Sequence, residues 1–219
     1  MPDFDPSAFR ALPASFFARD PGDVAPDLLG KIIASLSGGL WTGGRIVEVE
    51  AYRGADDPGS HASTKGITRR NAVMYGPPGS VYVYFTYGNH HMVNLVCCRE
   101  GEAGAVLLRA IEPVYGVEHM RTRRGVSSER ELTSGPGKLT QALGIDLSDN
   151  GTFLGEGRLV VYDSPGPRPE EIAVSGRVGL SAGHELHLRY YLEGNPFVSR
   201  GRTGPPRRST RPMTRRQED

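Results

Sequence analysis

The stretch 45-RIVEVEAY-52 alternates apolar with charged residues and closes on a tyrosine. Successive side chains of a β-strand point to opposite faces of its sheet, so this pattern predicts a strand with one apolar face turned toward the core. The other face carries Glu48, Glu50 and Tyr52. Two surface glutamates on a half-solvated strand are the ordinary outcome of such a pattern. A carboxylate at a strand end beside aromatic side chains can also act as a general base.

The chain around this stretch contains 29 glycines and 17 prolines, which indicates many short elements and a β-rich fold with a few helices. Strands are predicted over residues 31–36, 44–52, 81–87, 90–96, 104–112, 158–162, 171–180 and 186–192. Short helices are predicted over residues 26–29, over 114–124, and from the loop 134-SGPGK-138 to residue 143. Gly88-Asn89 between two strands is typical of a two-residue type II′ hairpin.

Residues 53–78 contain Gly, Asp, Pro, Ser and Thr without sustained periodicity. A loop of this length inside a compact domain usually has a function. This loop leaves the end of the 44–52 strand and carries His61. An acid, a histidine and strand tyrosines so close in sequence predict a flat-walled pocket for a planar substrate, with a base at its end.

Length and composition limit the class of protein. The chain has 219 residues, 37% hydrophobic and 23% charged, which fits one globular domain. No apolar run approaches the roughly 20 residues of a membrane helix, and the first residues do not resemble a secretory signal. Cys97 and Cys98 are neighbours without metal-ligand spacing, which favours a reducing compartment. We therefore expect a cytoplasmic protein that does not engage membranes.

The charge is distributed unevenly. Residues 200–219 contain seven arginines and two acidic residues, which gives this segment a charge of +5. Since the net charge of the chain is +1, residues 1–199 have a charge of −4. This Arg-, Pro- and Gly-rich tail is predicted to be disordered and separate from a domain over residues 1–199. Arginine is a good phosphate ligand, although a GC-rich genome would also raise its content.

Tyrosines mark the strand predicted over residues 81–87. Tyr82 is expected to pack in the strand with its hydroxyl exposed. Tyr87 ends the strand at a hairpin tip, where a projecting aromatic ring suits a wedge between stacked bases. Arg109, in the 104–112 strand, shares a face with Leu107 and is either a buried ion-pair partner or a phosphate ligand.

Four motifs occur together in the chain: RIVEVEAY (45–52), YVYFTYG (82–88), LLRAIEP (107–113) and SGPGKL (134–139). In this order they resemble the 3-methyladenine DNA glycosylases of the alkyladenine (methylpurine) type, over roughly residues 12–199. The resemblance implies an α+β fold, with a single mixed domain around a curved antiparallel sheet, a hairpin that inserts into DNA and a few flanking helices.

The resemblance also implies a function. It implies a monofunctional DNA glycosylase of base excision repair that needs no metal or cofactor. Such an enzyme flips alkylated or deaminated purines out of duplex DNA and hydrolyses the N-glycosidic bond. The implied partner is double-stranded DNA containing damaged purines. The protein would act as a monomer in the cytoplasm, at the nucleoid in a bacterium.

Roles for single residues follow from the same resemblance. Glu50 matches the general base and Arg109 a residue near the catalytic water. Tyr87 matches the wedge, and Asn89 departs from relatives that place an apolar residue beside it. The implied base-binding pocket consists of Tyr52, Gly59, His61, Tyr84, Asn94 and Leu107.

Two other functions fit the same residues. A non-catalytic nucleic-acid-binding module could use the same sheet and would tolerate the loss of Glu50. A sugar-directed glycosidase could use Glu48 and Glu50 as a carboxyl pair, although no separate acid is placed across a cleft.

Overall fold

The computed structural model describes residues 5–63, 66–86, 88–164, 172–183 and 185–201. Within them the helices are α1 (Ala14–Phe17), α2 (Pro21–Leu28), α3 (Val117–Arg124), α4 (Arg130–Thr133) and α5 (Pro136–Leu143). The strands are β1 (Ile32–Ser37), β2 (Leu40–Tyr52), β3 (Val81–Thr86), β4 (His90–Val96), β5 (Ala105–Tyr115), β6 (Leu159–Tyr162), β7 (Ile172–Ser175) and β8 (Arg189–Leu192).

All eight strands belong to one antiparallel sheet. The main path runs β3-β4-β5-β2-β1-β6, and β8 joins β2 and carries β7. The sheet curls into a half-barrel with a few helices packed on it, which makes a single α+β domain. The predicted fold class, a mixed domain around a curved antiparallel sheet, is confirmed.

Strand β2 organises this sheet because it is 13 residues long and pairs on both edges. One edge pairs with β5 along most of its length. The other edge pairs with β1 through its first half and with β8 around Glu48–Glu50. The register against β5 shifts near Glu48, as it does at a β-bulge. A bulge bends a strand and increases its twist, so the sheet can curl at this point.

The main hydrophobic core lies between the sheet and the helices. Its largest cluster combines apolar residues of α2, α5 and the central strands, among them Leu28, Leu139, Val49 and Leu108. These four side chains are fully buried. No helix in the described part of the chain is long and apolar enough to cross a membrane.

Two predicted helices have different bounds in the structure. Helix α2 starts at Pro21, well before the predicted start at residue 26. Asp20 caps its N-terminus by accepting a hydrogen bond from the Gly22 amide at 2.7 Å, and a proline is well suited to the first helical position. Helix α3 starts at Val117, three residues later than predicted, because β5 continues to Tyr115 and pairs there with Gly43 of the long strand β2.

The predicted two-residue type II′ turn between β3 and β4 is wrong. Thr86 pairs with His90, so three residues, 87–89, separate the two strands. The Asn89 amide donates to the Thr86 carbonyl at 3.4 Å, and Gly88 has a φ of +73°. Residue 87 itself lies outside the described residues.

We predict that Gly44→Ala destabilises the fold by about 1–3 kcal/mol, as overpacking of a tight interior does. A methyl group at Gly44 would overlap the backbone carbonyl of Glu112 in β5 and come within 3.2 Å of Ile111 Cδ1. The free energy of unfolding in urea measures the effect. Gly157→Ala is the control, because a methyl group there meets nothing closer than 3.6 Å. Equal stability of the two variants would contradict the prediction.

Candidate active site

A small pocket opens where β2 ends and the 53–78 loop begins. It lies against β3 and β4 on one side and against the segment that follows β7 on the other. Most of its lining is aromatic or apolar, with one amide side chain: Tyr52, Gly59, His61, Met74, Tyr82, Tyr84, Asn94 and Leu180. An apolar cleft with few polar groups is the usual form of a site for a flat organic ligand.

Three aromatic rings form one wall of the pocket. His61 and Tyr84 meet edge to face, with ring centroids 4.7 Å apart and planes at 72°. Tyr82 and Tyr84 lie 5.4 Å apart at 38°. The Tyr82 hydroxyl and His61 Nδ1 are hydrogen-bonded at 3.1 Å. His61 and Tyr84 are in contact, so a planar ligand cannot lie between these two rings.

The side chain of Asn71 holds the backbone of the loop at His61. Asn71 is buried, and its amide nitrogen donates to the carbonyls of His61 and Gly66, each at 2.9 Å. Its amide oxygen accepts from the Thr68 backbone at 2.6 Å. Burial and then the charge of Arg70 lower the pKa of His61, so the ring is neutral at pH 7. Burial raises the pKa of Tyr82 to about 12, so this hydroxyl keeps its proton.

Glu50 lies beside the pocket and is fully buried. Its Oε2 accepts the Tyr52 hydroxyl at 2.8 Å and lies 3.3 Å from Arg109 Nη1. Its Oε1 accepts the Val178 amide at 2.7 Å. Burial, followed by the charge of Glu50, raises the pKa of Tyr52 well above its ordinary value, so the tyrosine stays protonated and donates. The carboxylate is therefore held by groups from three different parts of the chain.

A second carboxylate, Glu48, is also fully buried. Its Oε1 accepts from Arg109 Nε at 2.8 Å, from Arg189 Nε at 2.7 Å and from Ser199 Oγ at 2.9 Å. Its Oε2 accepts the Ser199 amide at 2.6 Å. Burial opposes ionisation, but the two guanidinium groups outweigh it and leave the pKa of Glu48 below its ordinary value. With Glu50 these charges form a buried cluster of two acids and two arginines.

A separate buried ion pair joins the loop to the segment after β7. Arg177 donates to both carboxylate oxygens of Asp57, at 2.6 and 2.5 Å, and neither side chain is exposed. The guanidinium carbon lies 4.6 Å from the centroid of the Tyr52 ring. Gly59 passes so close that a methyl group on it would meet Arg177 Nη2 at 2.7 Å and Leu180 Cδ1 at 2.6 Å. A side chain at this position would have to displace both groups.

The structure brings most of the predicted pocket residues together. Five of the six line one cavity: Tyr52, Gly59, His61, Tyr84 and Asn94. Leu107 is buried and does not line it, but pairs in register with Glu50 and with Asn94. Arg109 contacts both buried carboxylates as an ion-pair partner. Tyr87, the predicted wedge, lies outside the described residues.

Two sequence interpretations are wrong. Glu48 and Glu50 are not surface residues of a half-solvated strand, because arginines and backbone donors cover both carboxylates. The Tyr82 hydroxyl is not exposed; the residue is 1% exposed, lines the pocket and bonds His61. Its place beside Tyr84 was foreseeable, because residues two apart on a strand share a face.

Other functional residues left no local signal. Asp57, Arg177, Arg189 and Ser199 are ordinary residue types without a motif around them. Their partners lie far away in sequence: Arg177 is 120 residues from Asp57, and Arg189 is 141 residues from Glu48. Among the described residues, no group of three His, Cys, Asp or Glu side chains could hold a metal ion.

The model of the methylpurine-DNA glycosylase family matches residues 15–196. This chain belongs to the methylpurine-DNA glycosylase family. The family resemblance drawn from the sequence motifs is thus confirmed, and the pocket, Glu50 and the buried charge cluster all fall within the matched region or, for Ser199, just beyond it.

Several relatives of this chain are named "Putative 3-methyladenine DNA glycosylase". The relative from Methanoculleus marisnigri is 50% identical over 193 residues, covering 86% of this chain and 98% of its own. The relative from Carboxydothermus hydrogenoformans is 49% identical over 190 residues, covering 86% and 98%. The relative from Chlorobaculum tepidum is 46% identical over 199 residues, covering 90% and 94%.

We predict that Glu48→Gln loses about 3–5 kcal/mol of stability near pH 7, because it leaves Arg109 and Arg189 without their shared buried anion. The folded-state pKa of Glu48 is depressed, so its contribution is complete above the unfolded pKa, near 4.5, and is lost as the pH falls through the folded pKa. We therefore expect the difference in the free energy of unfolding between wild type and variant, measured with urea from about pH 7 to pH 3, to become smaller at acidic pH.

Glu131→Gln is the control for this experiment. Glu131 pairs with Lys138 on the surface, where ion pairs contribute little, so this variant should stay close to wild type throughout. A gap for Glu48→Gln that stays constant across the pH range would refute the role given to its charge.

Proposed function

We propose that this protein is a monofunctional DNA glycosylase of base excision repair. It flips an alkylated or deaminated purine out of duplex DNA and hydrolyses the N-glycosidic bond with water activated by Glu50. Family membership and the names of the relatives support a glycosylase that acts on DNA. The observation that carries the mechanism is the position of Glu50, buried and oriented beside a pocket with aromatic walls.

The pocket suits a flipped purine. A planar base entering between Tyr52 and the wall of His61 and Tyr84 would stack on aromatic faces, which also attract a cationic alkylated base. Asn94, whose amide nitrogen donates to the Tyr82 carbonyl at 3.2 Å, adds a fixed polar group to this lining. In the proposed role it disfavours the exocyclic amine of guanine, while the backbone at Gly59 and His61 contacts the base edge.

In the hydrolysis step, Glu50 takes a proton from water as the water oxygen bonds to C1′ of the sugar. The C1′–N bond breaks, and its electron pair leaves with the base. A carboxylate offers about four lone-pair positions, and Tyr52, Val178 and Arg109 account for three of them, so one remains for water. Arg109 places positive charge beside the catalytic carboxylate and would steady the incoming water.

The two lysines within the described residues, Lys31 and Lys138, support hydrolysis rather than a lyase reaction. A lyase-type glycosylase forms a Schiff base through a neutral amine. Lys31 pairs with Asp163 at 2.5 Å, and Lys138 pairs with Glu131 at 2.5 Å, both partly exposed at the surface. The sequence indicated that Lys138 lies in a loop, but in the structure it lies in the first turn of α5. Neither of these two described lysines lines the pocket.

A sugar-directed glycosidase with Glu48 and Glu50 as its carboxyl pair is not supported. Four donors occupy Glu48, two of them from arginines, so it has no free oxygen directed at a substrate and no proton to give. The glycosylase is expected to act as a monomer on double-stranded DNA in the cytoplasm, without a cofactor. The remaining alternative, a module that binds nucleic acid without catalysis, is separated by the next experiment.

We predict that Glu50→Gln lowers the single-turnover rate of base release from methylated duplex DNA by at least about a hundredfold. The affinity for the duplex should stay within a few fold of that of wild type. Glutamine keeps the shape of the side chain but cannot take the proton from water. Glu102→Gln, an exposed carboxylate, is the control and should keep the wild-type rate. A melting curve must establish that Glu50→Gln is folded. Excision by folded Glu50→Gln at the wild-type rate would refute the mechanism, and wild type that binds DNA but releases no base would favour the binding module.

Tyr87 is the proposed wedge that fills the space left by the flipped base. Tyr87→Ala should lose about 1–3 kcal/mol of stacking and excise more slowly from duplex DNA. The loss should be smaller on single-stranded DNA, where no vacated space needs filling. A fluorescent base analogue at the target position reports flipping. An unchanged flipping signal in the Tyr87→Ala duplex complex would remove the wedge role.

A further inference from the structure

The pair of Arg177 and Asp57 connects three of the segments that surround the candidate pocket. Arg177 donates to the Ala51 carbonyl at 3.0 Å, beside Tyr52, and to the Gly183 carbonyl at 3.1 Å. Asp57 accepts the Gly59 amide at 3.0 Å and the Arg53 amide at 3.0 Å. This one ion pair therefore ties the end of β2, the 53–60 loop and the segment after β7.

The position of Arg177 also affects the electrostatics of Tyr52. The guanidinium carbon lies 4.6 Å from the ring centroid, but the side chain is fully buried and does not line the pocket. It therefore covers the ring from the side turned away from the pocket. Its Nε has no hydrogen-bond acceptor within the described part of the chain.

A positive charge behind an aromatic ring weakens the attraction of that ring for a second cation on the opposite face. The negative potential of a π face is what binds cations, and Arg177 already uses it. A base stacked on the pocket side of Tyr52 would lie about 8 Å from the guanidinium, adding 4.6 Å to a van der Waals separation. The positive charge of Arg177 therefore disfavours a cationic ligand relative to a neutral one. The negative charge of Asp57 reduces this effect.

We propose that Arg177 and Asp57 form a specificity-determining pair, which sets how strongly the Tyr52 face favours a positively charged purine over a neutral one. This inference rests on the proposed glycosylase function and deepens it. The pair contacts neither the water nor the reacting bond. It acts through the ring of Tyr52, and the opposite charges of its two members bias the pocket in opposite directions.

The experiment compares two duplexes that differ only in the target base. One carries 7-methylguanine, which is cationic, and the other carries hypoxanthine, which is neutral. The single-turnover rate of base release is measured for each duplex. The readout is the rate for the cationic base divided by the rate for the neutral base. Arg177→Met should raise this ratio about two- to tenfold relative to wild type, because a charge of this kind at a desolvated ring has an effect of that size.

Asp57→Asn should move the ratio in the opposite direction. It leaves the guanidinium without its counter-charge, so the ratio should fall by a similar factor. This opposition separates specificity from structure. Both variants break the same buried ion pair. If the pair had a merely structural role, each variant would slow the release of both bases alike and leave the rate ratio near its wild-type value, or the ratio would change in the same direction in both variants. Either of those results would overturn the proposal.

The double variant Arg177→Met/Asp57→Asn guards against loss of folding. Breaking a buried pair by removing one partner is strongly destabilising, whereas removing both charges leaves none unpaired. Its ratio should exceed that of wild type, because the charge nearest the ring is gone. A ratio equal to that of wild type in the folded double variant would overturn the proposal.

Arg158→Met is the matched control. Arg158 pairs with Asp149 at 2.6 Å, away from the pocket, and its loss should leave the ratio unchanged. Failure of this inference is distinct from failure of the glycosylase function. Wild type that releases neither base refutes the function, whereas active wild type whose ratio does not respond to Arg177 or Asp57 refutes only the inference.

Discussion

The site depends on the burial of two carboxylates on one strand. Glu48 and Glu50 lie two residues apart on β2, and both are fully buried. An uncompensated buried charge is strongly destabilising, so the fold must supply partners for both. Arg109 meets both carboxylates and Arg189 meets Glu48, which leaves two negative and two positive charges in one cluster. β5 and β8, which both pair with β2 at this point, carry these two arginines.

The same constraint gives the two acids different roles. Glu48 uses its oxygens on Arg109, Arg189 and Ser199, so it positions the arginine that stands beside Glu50. Glu50 is held by a tyrosine hydroxyl, a backbone amide and one guanidinium, and keeps room for one more donor. Neighbouring residues of the same type thus become a structural anchor and a candidate base. Their environments, rather than their identities, make the difference.

The pocket is built in the same manner, from local elements joined by buried polar contacts. Strand β3 supplies two tyrosines, and the loop supplies His61 through the hydrogen bonds of Asn71. The Arg177–Asp57 pair then fixes the loop against the end of β2 and the segment after β7. A cavity with rigid aromatic walls results, and the ionic groups that hold it are placed behind the walls rather than inside the cavity.

The sequence by itself determined the strand pattern, and the family resemblance of its motifs implied the fold class and five of the residues that line the cavity. Alternation with a period of two is a local property, so it places Glu50 with Tyr52, and Tyr82 with Tyr84, before any tertiary contact forms. Motif order was enough to identify the family. Only the tertiary structure decided that both glutamates are buried, because their partners are distant: Arg109 is 61 residues from Glu48, and Val178 is 128 residues from Glu50. A polar strand face looks the same in sequence whether water or arginines cover it. For the same reason, the long-range pair of Asp57 and Arg177 could be found only once the chain was folded.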